Sequence, residues 1–354
     1  MKVYDKVKRF QFNSDSFVAP YEMKFGDKKY LDLHSGAGAF FFDCSVAKGQ
    51  NTTNFFETVK VSRAIEAIEK TTQYRCPILL CSGSEANEAS IKLAFKRDPE
   101  REIVYYVPGC YFGRTYLANM CSDNEKYKSF LPKTDMFVPV AHPEDLSLAG
   151  ACLILERYPS VSLEWDLPIL DLVGQAKKLG IVVIVDETKG AFRTGSIFSF
   201  GDEFRPDVVT VSKSLASGFP VSAVLVDNNL LGECDDEWYT TTTGGHPAGC
   251  DIIIANMEKS SKNYLEDSVG FENEYRERLE KLFGDRLHIK GKYISLSRMK
   301  GLDFGGWCNE NGLLVYTRSN FISFFPNQIM FEGFRALLRK LEDNKSGLYR
   351  FFRE

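Results

Sequence analysis

The sequence predicts an α/β fold in which a mostly parallel sheet is flanked by helices. Short apolar runs rich in β-branched residues and bounded by turn residues are typical of buried strands. They occur at residues 78–81, 103–107, 152–155, 181–185, 208–211 and 221–226. Helical patterns alternate with these runs, most clearly at residues 83–97 and 166–178. Because parallel neighbours need a long crossover that is usually a helix, this alternation favours a parallel sheet with helices on both faces.

Taken in order, the chain divides into three segments. These are an N-terminal arm with an edge hairpin, a large domain and a smaller C-terminal α+β domain, at residues 1–50, 51–262 and 263–354. In the arm, residues 29–33 alternate as a strand. An amphipathic helix is predicted at residues 51–71, where apolar side chains recur at helical spacing. From about residue 271 the composition changes to alternating charge, followed by short strands at residues 293–296 and 313–316.

Length and composition exclude several classes of protein. A chain of 354 residues can bury a large core, and its net charge of 44 − 48 = −4 gives no basic surplus for nucleic acid or an anionic membrane. No apolar run approaches the ~20 residues of a membrane helix, and the N-terminal MKVYDKVKRF lacks the apolar centre of a secretory signal. The 9 cysteines are scattered, which predicts free thiols in a reducing cytoplasm. The 4 histidines show no metal-ligand spacing, so we expect no metal site.

An acid and a lysine stand where two neighbouring strands of the predicted sheet end. Asp186 closes the apolar run at residues 181–185, and Lys213 follows the run at residues 208–211. In open α/β sheets, ligands bind at this edge. The pair could be a structural ion pair. It also suits pyridoxal phosphate, which needs a lysine for its Schiff base and an acid that keeps its pyridine nitrogen protonated.

Four motifs support the second interpretation. They read CSGSEANEASIKLAFKR from residue 81, DETKGAFRTG from residue 186, PDVVTVSKSLASGFP from residue 206 and TTTTGGHPAGC from residue 240. In their order and approximate spacing, the motifs resemble those of the class III, ornithine-type aminotransferases, and the resemblance covers roughly residues 30–329. It implies the fold type I architecture of pyridoxal-phosphate enzymes, with a large domain and a smaller C-terminal domain. It also implies a homodimer with shared active sites, an amino donor and an oxo acceptor.

The resemblance assigns roles to individual residues. Lys213 would bind the cofactor covalently and move the substrate proton, while Asp186 would hold the pyridine nitrogen protonated. The other cofactor-binding positions are the phosphate contacts Gly83 and Ser84, the stacking residue Tyr111, Thr188 beside the ring and Thr242 from the partner subunit. For Ser84, a plain helix N-cap completed by Glu88 is the alternative.

Three further positions also have a structural interpretation. Asn87 matches the family but is equally typical of a packing or capping residue. Arg114 could clamp a substrate carboxylate, with a structural ion pair as the alternative. His246 replaces the family's usual asparagine, and a hydrogen-bonded structural histidine is expected there.

The chain also departs from the family pattern. Residues 157–161 lack the second acid of the Pro-x-x-Gly-Glu pattern, and Ser323 stands where the family carries its carboxylate-binding arginine. Arg114, Arg193 and Arg318 remain candidates to replace that arginine. Lys189 stands where a glutamine or methionine usually lies near the ring hydroxyl, and a solvated loop lysine is the alternative.

The function predicted is therefore an aminotransferase with a specialised substrate. The loop at residues 186–195 is one residue shorter than usual and resembles that of glutamate-1-semialdehyde aminomutase, so an aminomutase is a second hypothesis. A third is a catalytically silent cofactor-binding or interaction protein. The last is disfavoured because Lys213, Asp186, Gly83 and Thr242 are all present.

Overall fold

The computed structural model describes most of the chain beyond residue 58 and three short strands before it. The described residues are 17–19, 22–25, 28–32, 59–123, 125–235, 238–241, 244–260, 264–297, 304–317, 321–324, 326 and 331–343. Thr242 and Arg318, both named as candidates above, lie outside this part of the chain. Among the described residues, no helix is long and apolar enough to cross a membrane.

A seven-stranded sheet forms the centre of the fold. Its strands in spatial order are β4 (Arg75–Leu80), β10 (Ser222–Val226), β9 (Val208–Val211), β8 (Val182–Asp186), β7 (Gly150–Leu155), β5 (Ile103–Tyr106) and β6 (Phe137–Pro139). The strands from β9 to β6 are parallel to one another, and β10 is antiparallel to both of its neighbours. The predicted mostly parallel sheet is confirmed.

The reversal at β10 follows from its short connection to β9. Only a 3₁₀ turn at Lys213–Ala216 and a short loop stand between the two strands. A parallel partner would need a crossover of a dozen or more residues. Ser217 and Gly218 both have positive φ, 48° and 87°, and they turn the chain back. The turn therefore brings Lys213 to the edge of the sheet where β8 and β9 end.

Helices cover the sheet. They are α1 (Val59–Thr72), α2 (Gly83–Arg97), α3 (Tyr116–Cys121), α4 (Glu125–Lys128), α5 (Ile169–Lys178) and α6 (Pro247–Ser260). Helix α2 packs across β8, β9 and β10, and α5 packs on β8. Every residue of β7 and β8 is buried, as expected of strands covered on both faces. Helix α5 begins at Ile169 and not at residue 166, because the residues before Pro168 are disfavoured in a helix.

The C-terminal part of the chain has a sheet and a core of its own. Its elements are α7 (Tyr264–Phe283), β11 (Leu287–Lys290), β12 (Tyr293–Ser297), α8 (Phe304–Glu310), β13 (Leu313–Leu314), β14 (Tyr316–Thr317), β15 (Phe321–Phe324) and α9 (Phe331–Asp343). The antiparallel sheet has the order β11-β12-β15-β14. Phe271, Tyr275 and Phe334 pack ring against ring between α7 and α9. The predicted boundaries at residues 50 and 262 stay predictions.

The N-terminal strands join the C-terminal part of the chain. Strands β1 (Phe17–Ala19), β2 (Glu22–Phe25) and β3 (Lys28–Asp32) pair in antiparallel order, and β3 pairs in parallel with β13. The two ends of the sequence therefore share one small sheet, which a hairpin pattern alone did not predict.

Candidate active site

A cavity of about 400 Å³ opens at the edge of the central sheet where β8 and β9 end. Asp186 is the last residue of β8, and Lys213 follows β9 by two positions. Both side chains line the cavity, together with Gly83 and Ser84 at the start of α2 and Tyr316 from β14. The fold therefore brings together residues from four distant stretches of sequence.

Lys213 is held in a conformation that costs energy. Its φ of 43° is left-handed, which is uncommon for a residue other than glycine and is typical of functional sites. Burial lowers the pKa of Lys213 to about 8, and the positive charge of Lys189 adds to this effect. Asp186 and Glu156 act in the opposite direction. A lysine with this pKa is neutral in a substantial fraction of molecules near neutral pH and can act as a nucleophile or base.

The carboxylate of Asp186 is fixed from two sides. Its Oδ2 accepts a hydrogen bond of 2.7 Å from Asn87 Nδ2, and its Oδ1 accepts one of 2.7 Å from the Thr188 backbone N–H. The amide of Asn87 also donates to the Phe112 carbonyl and accepts from the Thr210 hydroxyl, both at 2.7 Å. The structure therefore assigns Asn87 to the orientation of Asp186, a role that the sequence left open.

The neighbouring acid, Glu187, is turned away from the cavity. Its Oε1 accepts hydrogen bonds from the backbone N–H of Ser199 at 2.7 Å and from its hydroxyl at 2.6 Å. Successive side chains of an extended chain point to opposite sides, which explains why only one acid of the pair lines the cavity. Burial raises the pKa of Glu187 to about 8.

The start of α2 has the features of an anion-binding site. Ser82 is the N-cap, since its backbone is extended and its Oγ accepts from the Glu85 N–H at 3.2 Å. The alternative of Ser84 as the cap is wrong, because Ser84 lies within the first turn. The Oγ of Ser84 accepts instead from the Arg114 N–H at 3.3 Å. The first N–H groups of a helix and its dipole favour a phosphate at this position.

Close packing surrounds Gly83. A Cβ at this position would lie 2.8 Å from Thr188 Oγ1, so no larger residue fits without a shift. The hydroxyl of Thr188 has no hydrogen-bond partner among the described residues, although it is buried beside the cavity. An amine, a carboxylate, a helix N-terminus and an orphaned hydroxyl in one cavity fit the predicted cofactor, pyridoxal phosphate.

Lys189 points into the cavity, so the alternative of a solvated loop lysine is wrong. Its side chain is buried at 8% exposure, and its Nζ lies 5.8 Å from the centroid of the Tyr111 ring. Glu156, at the end of β7, is buried nearby and accepts from the backbone N–H of Ser160 at 2.8 Å. Burial raises the pKa of Glu156 to about 7, against the attraction of Lys189.

No arginine is among the described residues that line the cavity. Arg114 is exposed and lies over the Tyr127 ring, with its Cζ 3.9 Å from the ring centroid. Arg193 is buried behind the loop that follows β8, where it donates to the Lys189 carbonyl at 3.0 Å. The hydroxyl of Ser323 bonds to that of Ser295 at 2.7 Å within the small sheet.

The expectation for His246 agrees with the structure. Its Nδ1 accepts a hydrogen bond of 3.2 Å from the Ala248 N–H at the start of α6. Of the predicted cofactor residues, Lys213, Asp186, Gly83, Ser84, Tyr111 and Thr188 line one cavity. Thr242, the one expected from the partner subunit, lies outside the described residues.

Comparison with known sequences finds aminotransferases. The sequence model of the family described as Aminotransferase class-III matches residues 171–330. The mitochondrial acetylornithine aminotransferase of Debaryomyces hansenii is 28% identical over 312 residues, which cover 75% of this chain and 65% of that protein. The acetylornithine aminotransferase of Oceanobacillus iheyensis is 31% identical over 243 residues, or 62% of this chain and 58% of that protein. The chain thus spans less than two thirds of the length of these two relatives.

Comparison with solved structures finds the same fold. The ornithine aminotransferase of Toxoplasma gondii superposes with a TM-score of 0.84 at 20% identity, over 93% of this chain and 89% of that one. An omega-aminotransferase from Paracoccus denitrificans gives a TM-score of 0.81 at 17% identity, over 94% and 92% of the two chains. At these identities the likeness shows the fold type I architecture, in agreement with the layers and the cavity described above.

Proposed function

We propose that this chain is a pyridoxal-phosphate-dependent aminotransferase of the class III type, and that it transfers an amino group from an amine donor to an oxo acceptor. One observation carries the proposal: Lys213 and Asp186, at the ends of adjacent strands, line the same cavity as the start of α2. These are the groups that a bound pyridoxal phosphate needs at its carbonyl carbon, its ring nitrogen and its phosphate.

Each residue has a task in the proposed reaction. When bound, pyridoxal phosphate supplies a carbonyl carbon that exchanges amino groups and a ring that withdraws electrons from the reacting carbon. Lys213 Nζ holds that carbonyl carbon until an amine substrate displaces it. Because its pKa is lowered to about 8, the freed Nζ can take a proton from the substrate carbon and return it one position along. An oxo acceptor then completes the exchange by the reverse steps.

The other residues hold the cofactor in place. Asp186 would accept a hydrogen bond from the ring nitrogen and so favour its protonated form. The backbone N–H groups of Gly83 and Ser84 would bind the phosphate, and Thr188 and Tyr111 would hold the ring. With two short hydrogen bonds to its oxygens, the carboxylate of Asp186 needs no rearrangement during the reaction.

The substrate is proposed from a departure in the sequence. Ser323 stands where the family pattern has its carboxylate-binding arginine, and its hydroxyl bonds to that of Ser295, so a substrate carboxylate would be bound in another way than in the family pattern. We therefore infer a specialised amine or aldehyde partner. The relatives named acetylornithine aminotransferase make acetylornithine the first donor to test. Full activity with ornithine and 2-oxoglutarate would count against a specialised partner. The cytoplasmic location stays a prediction.

The first experiment identifies the lysine that binds the cofactor. The purified protein is reduced with borohydride and digested, and mass spectrometry locates the modified residue. We expect modification at Lys213 and loss of the visible absorption band in Lys213→Ala, with Lys178→Ala, at an exposed position of α5, as the control. An absence of bound cofactor in the unmodified protein would overturn the proposal.

The second experiment separates the two enzymatic hypotheses. A panel of amino donors is added, and the visible band is followed before and after a keto acid is supplied. An aminotransferase loses the band with a donor and regains it with the acceptor. Turnover of one substrate without any second partner would instead support an aminomutase, which starts from the aminated form of the cofactor.

A further inference from the structure

A second lysine, Lys189, lies in the cavity that holds Lys213. Its position is set by the loop after β8 and not by a flexible chain end. The Arg193 guanidinium donates to the Lys189 carbonyl at 3.0 Å, which ties down the backbone. On the other side, a Cβ on Gly190 would lie 2.5 Å from Glu187 Oε2 and 2.9 Å from the Ser199 side chain. The loop is therefore packed tightly on both sides of Lys189.

The side chain of Lys189 is enclosed. It is 8% exposed, lines the cavity and reaches Tyr111, whose ring centroid is 5.8 Å from Nζ. In a buried site, the interaction between two charges is weakened less than in water. The ammonium group of Lys189 therefore acts strongly on any other charge in the cavity.

Lys189, Asp186 and Lys213 line the same cavity. The positive charges of Lys189 and Arg193 lower the pKa of Lys213, while the negative charges of Asp186 and Glu156 raise it. Arg193 and Glu156 lie outside the described lining, whose remaining titratable side chains are Cys81, Tyr111 and Tyr316. After burial, Lys189 is the largest influence that lowers the pKa of Lys213.

We propose that Lys189 is a positioning residue of this site, whose buried ammonium group disfavours a positive charge on the nitrogen of Lys213 and so keeps that nitrogen available as a base. The inference rests on the proposed function, because it concerns the nitrogen that binds the cofactor. Glu156 has a second part in this arrangement: its attraction to Lys189 offsets the cost of a buried ammonium group. Lys189 and Glu156 therefore have opposite effects on the pKa of Lys213.

The test is a pH titration of the visible band in the full-length protein with its cofactor bound. The band changes as the nitrogen of Lys213 gains or loses a proton. In Lys189→Gln, which removes the charge but keeps a polar side chain, we expect the midpoint to rise by about one pH unit. Lys189→Arg keeps the charge and should return the midpoint to within about 0.3 units of the unmodified protein.

Two results would overturn the inference. One is an unchanged midpoint in Lys189→Gln. The other is an equal shift in Lys189→Gln and Lys189→Arg, which would indicate a role in packing and not in charge. If Lys189→Gln does not retain the cofactor, Lys189→Met is titrated in its place under the same criteria.

Glu156→Gln gives an independent measurement with the opposite sign. Because Glu156 favours a positive charge on Lys213, its removal should lower the midpoint. A rise of the midpoint in Glu156→Gln would contradict the proposed opposite effects of Lys189 and Glu156. Failure of the inference is distinguishable from failure of the proposed function. An unmodified protein without any visible band would contradict the proposed function. A normal band with unchanged midpoints in the variants would contradict only the inference about Lys189.

Discussion

The buried side-chain amide of Asn87 connects three parts of the fold to the Asp186 carboxylate. Its side chain makes three hydrogen bonds of 2.7 Å, to Asp186, the Phe112 carbonyl and the Thr210 hydroxyl. All of its hydrogen bonds are buried, where an unmade one costs about 1–3 kcal/mol. The amide therefore links α2, the loop after β5 and strand β9 to the carboxylate in the cavity.

We predict that Asn87→Ala lowers kcat/KM by roughly 10- to 100-fold, because the Asp186 carboxylate loses a charge-assisted hydrogen bond and its orientation. The change should be accompanied by weaker cofactor retention, measured by equilibrium dialysis. Asn119→Ala is a matched control, since Asn119 is also buried but bonds to the Tyr127 carbonyl. Equal losses in both variants would contradict the assigned role.

Glu187 makes the stability of the protein depend on pH. Its pKa is raised from 4.5 to about 8, so between these values the folded chain keeps a proton that the unfolded chain has lost. Stability from this group is therefore complete at low pH and lost as the pH rises toward 8. Above pH 8 the folded protein carries a buried charge that costs energy.

We accordingly predict that Glu187→Gln gains stability relative to the unmodified protein as the pH rises from 5 to 9, by an amount on the order of 3 kcal/mol. The glutamine oxygen can still accept from Ser199. Denaturant unfolding at several pH values measures the difference. Glu144→Gln, at an exposed position, should show no such trend, and a constant difference for Glu187→Gln would contradict the buried charge.

At the scale of elements, helix α2 combines structural and functional roles. Its cap, Ser82, precedes the cavity, and Gly83 lies where a Cβ would meet Thr188 Oγ1 at 2.8 Å. At Gly83, the first residue of the helix, no side chain separates the backbone N–H from the cavity. The remainder of α2 packs on the sheet, which fixes the direction of its dipole.

Two glycine-to-alanine changes separate these roles. Gly83→Ala should weaken cofactor binding by roughly tenfold or more, because the added methyl group would lie 2.8 Å from Thr188 Oγ1 and force a shift beside the cavity. Gly174→Ala, inside α5, has no atom within 4 Å of the new Cβ and should gain about 0.5–1 kcal/mol from helix propensity. Cofactor dissociation constants and unfolding free energies of both variants are compared. Normal cofactor affinity in Gly83→Ala would contradict a tight phosphate site.

At the scale of the whole molecule, the smaller C-terminal part contacts the large domain through backbone atoms. The Lys292 N–H donates to the Arg193 carbonyl at 2.7 Å. At Gly291, with φ of 57°, a Cβ would lie 2.1 Å from that same carbonyl. The hairpin between β11 and β12 therefore contacts the loop that carries Lys189, and Tyr316 from β14 lines the cavity.

The homodimer implied by the sequence resemblance makes a prediction that a monomer cannot satisfy. If Thr242 serves the active site of the partner subunit, Lys213→Ala and Thr242→Ala proteins are each impaired alone. Mixed dimers of the two contain one site with both substitutions and one with neither. Co-expression should therefore restore activity, measured on the purified mixed species. A protein that stays monomeric in light scattering, or a mixture without restored activity, would contradict a shared site.

The fold was largely predictable, because strand and helix patterns and their alternation are local properties. The buried strands, α2 and the mostly parallel sheet were predicted from the periodicity of apolar residues. The small sheet that joins β3 to β13 was not, because its pairing joins residues far apart in the sequence. The alternative of Ser84 as the helix cap was wrong for a different reason: Ser82 and Ser84 lie two residues apart, and only the backbone conformation shows that Ser82 is the cap.

The sequence by itself indicated the resemblance to class III aminotransferases and placed Lys213 and Asp186 together, since both stand at strand ends that meet at one edge of the sheet. Only the tertiary structure decided which way the neighbouring side chains point. It turned Lys189 into the cavity, Arg193 behind it and Arg114 onto Tyr127. Side-chain direction in loops depends on packing with distant elements, and that packing also sets the electrostatic surroundings of Lys213.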